Sequence, residues 1–287
     1  MEAIEQVRDK ARELLESQAV ECVIGYERAT DNVGARPLFA YEPGEVARFI
    51  FDQTCHHNLT RYLRDKKDKT VAVVAKPCDS RTINMLINEK QLERERVFII
   101  GVVCPGMVEV GWSRPSQELQ PLCRYCRQHT PVVYDFLAGE PPAEEPEPSP
   151  PYPDVAEMEG RSVAERRAFW SQHFERCIRC YACRQACPGC YCTECFVDRL
   201  DPLWVGIRIA PGENEMWNTI RAYHLAGRCI DCGACQQVCP VNIPLMLLNR
   251  KLGKEVEELF DFQAGLDAET LPPLVTFKKE EKLEADL

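Results

Sequence analysis

Seventeen of the 287 residues are cysteine, far more than a hydrophobic core uses, and eight of them stand in a spacing that binds iron. Cys177-x-x-Cys180-x-x-Cys183-x-x-x-Cys187-Pro188 is a ferredoxin-type run, and Cys229-x-x-Cys232-x-x-Cys235-x-x-x-Cys239-Pro240 repeats it with the same spacing. In such a run the first three thiolates wrap three irons of a cubane, and in two-cluster ferredoxins the fourth ligates the other cluster. Cys177, Cys180, Cys183 and Cys239 are therefore expected to hold one 4Fe-4S cluster, and Cys229, Cys232, Cys235 and Cys187 a second. Paired Cys-x-x-Cys also suits tetrahedral zinc. Two complete runs, each closed by proline, favour iron–sulfur over zinc.

The remaining cysteines are dispersed. Cys78 and Cys104 each follow an apolar run, and with Cys123-x-x-Cys126 they make a third four-thiol set, expected to hold a third 4Fe-4S cluster. Cys55, read as helical beside His56 and His57, is a ligand or a core residue. Cys22, inside a short apolar strand, has the usual fate of a free thiol, which is burial. Cys190, Cys192 and Cys195 exceed what the ferredoxin pattern needs. They could ligate a further centre shared with a partner, tune the neighbouring cluster or pack beside it; tuning and packing are the favoured roles. The histidines at 56, 57, 129, 173 and 224 show no metal-site spacing and are expected at the surface or in packing.

The elements that must position these thiols are legible in part. Ile4, Val7, Ala11, Leu14 and Leu15 repeat at helical spacing, and a strand is expected over residues 20–25. A second helix is expected over 45–64 with Val46, Phe49, Ile50, Leu59 and Leu63 inward. The runs at 71–75 and 97–103, separated by a helical 80–92, predict parallel strands covered on both faces. Ligands bind at the carboxyl ends of such strands, where Cys78 and Cys104 stand. The fold class expected is an α/β amino-terminal domain with a parallel-rich sheet, residues 1–138, and a mainly helical two-cluster ferredoxin-like domain, residues 155–262. A proline- and glutamate-rich linker, 139–154, joins them, and 263–287 is an extended tail. Trp204 and Trp217, between the runs, are expected to shield the clusters from water.

An odd cysteine count leaves one thiol over in any all-disulfide scheme, and the amino terminus has no signal-peptide pattern, so a cytoplasmic protein is expected. No segment suits a membrane span. A net charge of −10 argues against a nucleic-acid partner. There is no Gly-x-Gly-x-x-Gly and no Gly-Lys-Ser/Thr loop, and no acid–base or nucleophilic constellation stands out.

The segment VAVVAKPCDSRTINMLINEKQLERERVFIIGVVCPGM, followed by CRYC and PVVYDFLAGE, resembles the beta-subunit family of deazaflavin-reducing hydrogenases and dehydrogenases. The second half, CIRCYACRQACPGCYCTECF and HLAGRCIDCGACQQVCPVNIPLMLLNRKL, is similar to dicluster iron–sulfur subunits of heterodisulfide-reductase-like, sulfite-reductase-like and hydrogenase-like complexes. The resemblance implies that Cys78, Cys104, Cys123 and Cys126 match the cluster cysteines of the beta-subunit domain, and that FAD is a possible cofactor. It implies an electron-transfer subunit of an anaerobic oxidoreductase complex, with other redox subunits or a flavoprotein as partners. The alternative is a flavin-dependent dehydrogenase subunit oxidising a nicotinamide or a reduced deazaflavin.

Iron and acid-labile sulfide analysis of anaerobically purified protein tests the ligand count. About eight irons per chain answers to two cubanes and about twelve to three; a preparation holding only zinc ends the iron–sulfur expectation.

Overall fold

The computed structural model describes residues 3–66, 68–110, 115–145 and 151–276. Part of the expected linker, 146–150, and the end of the expected tail, 277–287, lie outside the described residues. The chain begins with α1 (Ala3–Glu16), β1 (Cys22–Arg28) and β2 (Ala35–Ala40). Then come β3 (Val71–Ala75), α2 (Pro77–Asn88), β4 (Val97–Val102), β5 (Val108–Val110), β6 (Pro115–Leu119) and β7 (Phe136–Ala138). The second half carries α3 (Pro153–Glu159), α4 (Val163–Glu175), α5 (Ala182–Ala186), α6 (Pro211–His224), α7 (Ala234–Gln237) and α8 (Leu245–Phe260).

The sheet is mixed, in the order β2-β1-β3-β4-β7, with β2 antiparallel to β1 and the other neighbours parallel. Val73 stands at the register centre, beside Ile24 of β1 and Ile99 of β4. Every residue of β3 is buried, as a strand covered on both faces requires. Val7, Ala11, Leu14 and Leu15 of α1 and Ile83, Met85 and Leu86 of α2 supply much of that cover.

Three expectations fail locally. Residues 45–64 form no α-helix; they hold short 3-10 turns at Pro43–Arg48 and Leu59–Tyr62 joined by irregular chain. Val46, Phe49, Leu59 and Leu63 are buried all the same, so the burial pattern was right and its period was misread. Cys55 accordingly lies in a loop, and β2 and the β5–β6 hairpin were not foreseen.

The two halves share one core. Ile230, Val256, Phe262 and Ala264 join the cluster of buried residues built on the sheet. Arg81 of α2 donates to the carbonyl of Ala264 at 2.8 Å, and Asn84 and Asn88 to those of Gly265 and Thr270 at 3.1 and 2.9 Å, so the chain after α8 is strapped along α2. A second cluster gathers Phe174, Cys177, Trp217, Cys235, Cys239, Ile243 and Met246 around α4, α6 and α8.

Under the β3–α2 turn lies a fully buried ion pair, Lys76 Nζ to Asp79 Oδ2 at 2.9 Å. Burial opposes the ammonium charge and Asp79 more than offsets it, so the Lys76 pKa is raised. Lys76 also donates to the Tyr26 hydroxyl and to the His57 carbonyl at 2.8 Å, while Asp79 accepts the backbone N–H of Lys76 at 3.0 Å. Asp79→Asn leaves the ammonium buried without its counter-charge and is expected to cost about 3–5 kcal/mol in anaerobic urea unfolding. The double variant Lys76→Met/Asp79→Leu should recover part of that loss; a neutral single variant would refute this account of the pair.

Candidate metal centres

The two cysteine runs fold alike. In each, the second and fourth residues after the first cysteine have left-handed backbone: Arg179 (φ 46°) and Tyr181 (φ 59°) in the first, Asp231 (φ 62°) and Gly233 (φ 73°) in the second. Three of these four are not glycine, and such a conformation persists only where its surroundings impose it. The turns lead into α5, which carries Cys183, and α7, which carries Cys235, and these two short helices pack on each other.

That packing brings the fourth cysteines across. A cavity of about 320 Å³ is lined by Cys177, Cys180 and Cys183 of the first run together with Cys239 of the second. Reciprocally, Cys187 of the first run is near enough to Cys229, Cys232 and Cys235 to disfavour their ionisation. Each fourth cysteine thus lies beside the first three of the other run. Burial is the main force on Cys229, Cys232 and Cys235: it pushes Cys235 up to about 11 and raises Cys229 and Cys232 further. Cys187 is the exception, pulled down to about 6 mainly by a hydrogen bond from Cys190.

The dispersed set also converges. Cys78 at the amino-terminal end of α2, Cys104 after β4, and Cys123 and Cys126 around a 3-10 turn line one cavity of about 520 Å³. Burial pushes Cys104 up to about 12. The N–H of Met107 donates to Cys123 Sγ at 3.3 Å. His56, Lys76 and His129 stand on the same walls, so two of the histidines read as surface or packing residues face this site. Cys232 is on the wall as well, and it is among the groups that hold Cys78 un-ionised. Cys55 is fully buried in the first core, its Sγ 3.4 Å from the Asp52 backbone nitrogen, and is not on that cavity wall. Cys22 is fully buried in β1.

Trp217 is 1% exposed and lines the first-run cavity, edge-on to Tyr181 at 5.0 Å. Trp204 is 52% exposed and lines none of the thiol cavities, contrary to the shielding role expected of it. Asn214, one turn before Trp217, donates to the carbonyls of Phe174 and Cys177 at 2.9 and 2.8 Å and so holds the start of the first run.

Arg221 is the residue that sequence reasoning missed. It is 4% exposed, donates to the Cys183 carbonyl at 3.1 Å, and faces the thiols of Cys235, Cys187, Cys190 and Cys183. Its Nε has no hydrogen-bond partner, and among the described residues no carboxylate pairs with it. A buried guanidinium without a counter-charge is costly. Anionic thiolates and cluster sulfides at the adjoining sites would answer that charge, so the donor set and its surroundings suit iron–sulfur ligation. Asn214, Trp217, Asn218 and Arg221 are all buried on α6, at the i, i+3, i+4, i+7 spacing of one helix face, which was the signal available in the sequence. Among the described residues no three His, Cys, Asp or Glu side chains converge on a single metal ion. A four-iron cube instead spreads its thiolates over separate irons.

Residues 222–244 match the family model described as a 4Fe-4S binding domain, which spans Cys229, Cys232, Cys235 and Cys239. The chain is similar to the F420-dependent formate dehydrogenase subunit beta of Methanocaldococcus jannaschii, at 23% identity over 93% of this chain and 92% of that protein. It is also similar to the F420-dependent formate dehydrogenase 1 subunit beta of Methanococcus maripaludis, at 33% identity over 37% of this chain and 26% of that protein. The resemblance to beta subunits of deazaflavin-linked dehydrogenases and to ferredoxin-type sequences is thus met over nearly the whole chain. No helix among the described residues is long and apolar enough to cross a membrane.

A fixed positive charge favours the reduced state of a nearby cluster. Arg221→Gln is therefore expected to lower the midpoint potential of a carboxy-terminal centre by on the order of 100 mV, in EPR-monitored redox titration. Arg221→Lys should keep most of the wild-type value. Unchanged potentials in Arg221→Gln would show that its charge is not felt.

Proposed function

We propose that this chain is the iron–sulfur electron-transfer subunit of a multi-subunit oxidoreductase complex and relays single electrons between flavins or clusters of its partners. Its units are an α/β domain, 1–138, with a thiol site of its own, and a two-cluster ferredoxin-type domain, 155–262, joined by the linker 139–154. The carrying observation is the shared wall between the halves: Cys232 of the second run lines the cavity of Cys78, Cys104, Cys123 and Cys126. The three sets then follow one another in space. The dispersed set adjoins the second run through Cys78 and Cys232, and Cys235 of the second run adjoins Cys183 of the first-run set. Cys180, the exposed thiol of the first-run set, marks the end open to a partner.

When bound, a 4Fe-4S cluster supplies a one-electron couple that needs no general acid or base. Trp217 and Tyr181 exclude water from the first-run site, and Arg221 offsets negative charge between the two carboxy-terminal sites. Relatives described as beta subunits of formate dehydrogenases support partner subunits here too; heterodisulfide-reductase-like, hydrogenase-like or flavoprotein partners are the types that the sequence resemblance implies.

A second reading, a dehydrogenase subunit that itself binds a flavin or deazaflavin, draws on a cavity of about 880 Å³ beside Cys78, Cys126 and Cys229, lined by Arg81, Arg127 and Arg250. Each guanidinium there is already engaged. Arg250 pairs with Asp154 and Asp231, Arg127 with Glu257, and Arg81 with the Ala264 carbonyl. Two of the three cations are paired with carboxylates, and Arg81, on a neutral carbonyl, is the one left for a cofactor phosphate, which ranks this reading second.

Anaerobic affinity purification of the full chain from its native source is expected to bring down redox subunits. Redox titration of the purified chain should then show at least three reducible one-electron centres and no bound flavin. Flavin absorbance surviving gel filtration, with dye reduction by a nicotinamide or reduced deazaflavin, would move the assignment to the second reading. Centres that cannot be reduced at any accessible potential would leave a scaffold.

A further inference from the structure

Beyond the three thiol sets already described, Cys190, Cys192 and Cys195 line a fourth cavity, of about 460 Å³, together with Trp217, Arg221 and His224. The thiols come from one six-residue loop, and that loop is clamped from outside. The ring of Tyr191 lies between the guanidiniums of Arg64 and Arg228, at 5.6 and 5.3 Å, and its hydroxyl donates to Glu89. Arg64 also donates to the Tyr191 carbonyl at 2.7 Å. Tyr191 is thereby held against the amino-terminal half, and the cysteines on either side of it line the cavity.

Three guanidiniums border this cavity. Arg184 is paired with Asp198 and Arg228 with Glu89, each within 2.7 Å. Arg221, 4% exposed, is paired with no carboxylate among the described residues, has an unpartnered Nε, and is hydrogen-bonded to the Cys190 thiol. The cavity therefore offers three soft donors beside a buried guanidinium that also faces Cys183, Cys187 and Cys235. Soft thiolate donors of this number, spread along a cavity wall, suit an anionic polynuclear iron–sulfur centre. His224, edge-on to Phe196 at 5.3 Å, stands on the same wall as a fourth donor.

We propose that Cys190, Cys192 and Cys195, with His224, bind a fourth iron–sulfur cluster of the 4Fe-4S class. The site adjoins the second-run set through Cys190, whose backbone N–H donates to the Cys187 carbonyl at 3.2 Å, and it opens to the surface at Cys192, the exposed thiol of the three. The proposal replaces packing and tuning, the roles favoured from the sequence, with ligation because the three thiols share one cavity wall with His224 and a buried guanidinium.

The test compares iron and acid-labile sulfide in the full chain with those in the triple variant Cys190→Ser/Cys192→Ser/Cys195→Ser, both reconstituted anaerobically with iron and sulfide. The expected result is a loss of about four irons and four sulfides per chain, with the EPR signals of the other centres retained. The difference holds however many of the other sites fill, so failure of the three-cluster reading is told apart from failure of this one. Should the triple variant not fold, the single variants Cys192→Ser and His224→Ala, examined by Mössbauer spectroscopy with iron-57, are expected each to alter the spectrum of one cluster. Equal iron and sulfide in the triple variant, unchanged spectra in both single variants, or zinc in place of iron at this site would overturn the proposal.

Discussion

Arg221 is a full positive charge in a dry interior with no carboxylate to answer it among the described residues, and the carboxy-terminal half is arranged around that fact. An isolated charge in such a place costs several kcal/mol. Four thiols face the guanidinium: Cys183 of one crossed set, Cys187 and Cys235 of the other, and Cys190 of the loop between the runs. Burial alone would keep most thiols protonated. Metal-cluster ligation makes them anionic, and those anions offset the cation in turn. Each partner is unfavourable alone, so the charge and the ligand sets are one unit.

The joining of the halves is equally specific. Arg61 donates to the Gln185 carbonyl at 2.9 Å and Arg64 to that of Tyr191 at 2.7 Å, fixing the loops around α5 to the amino-terminal half. On another side of the contact, α2 holds the chain after α8 through Arg81, Asn84 and Asn88. These contacts place Cys232 on the wall of the cavity that Cys78, Cys104, Cys123 and Cys126 line. The buried Lys76–Asp79 pair adds rigidity at the turn that presents Cys78.

Much of this was legible in the residues. The two cysteine runs led to the expectation of crossed sets, because their spacing is tied to the wrap of a short loop and helix around a cube, and the packing of α5 on α7 brings each fourth cysteine beside the other run. The apolar runs that became β3 and β4 were equally plain, since strands buried on both faces leave no alternation to confuse. Residues 45–64 misled, because apolar side chains three and four apart fit irregular chain pressed on a core as readily as a helix. Trp204 misled in another way: a large apolar residue between two metal motifs stays half exposed when its loop folds outward.

What the sequence by itself determined is the ligand inventory: which cysteines come in cubane spacing, which follow strand ends, and which three are left over. What only the tertiary structure decided is which groups share a space. Cys232 beside Cys78, Arg221 among four thiols, and Cys190, Cys192 and Cys195 around one cavity all depend on contacts between segments far apart in the chain. Local spacing encodes how a loop wraps one ligand. It carries no information about the electrostatic environment that distant segments build around it, and in this protein that environment brings the dispersed cysteines beside the two ferredoxin motifs.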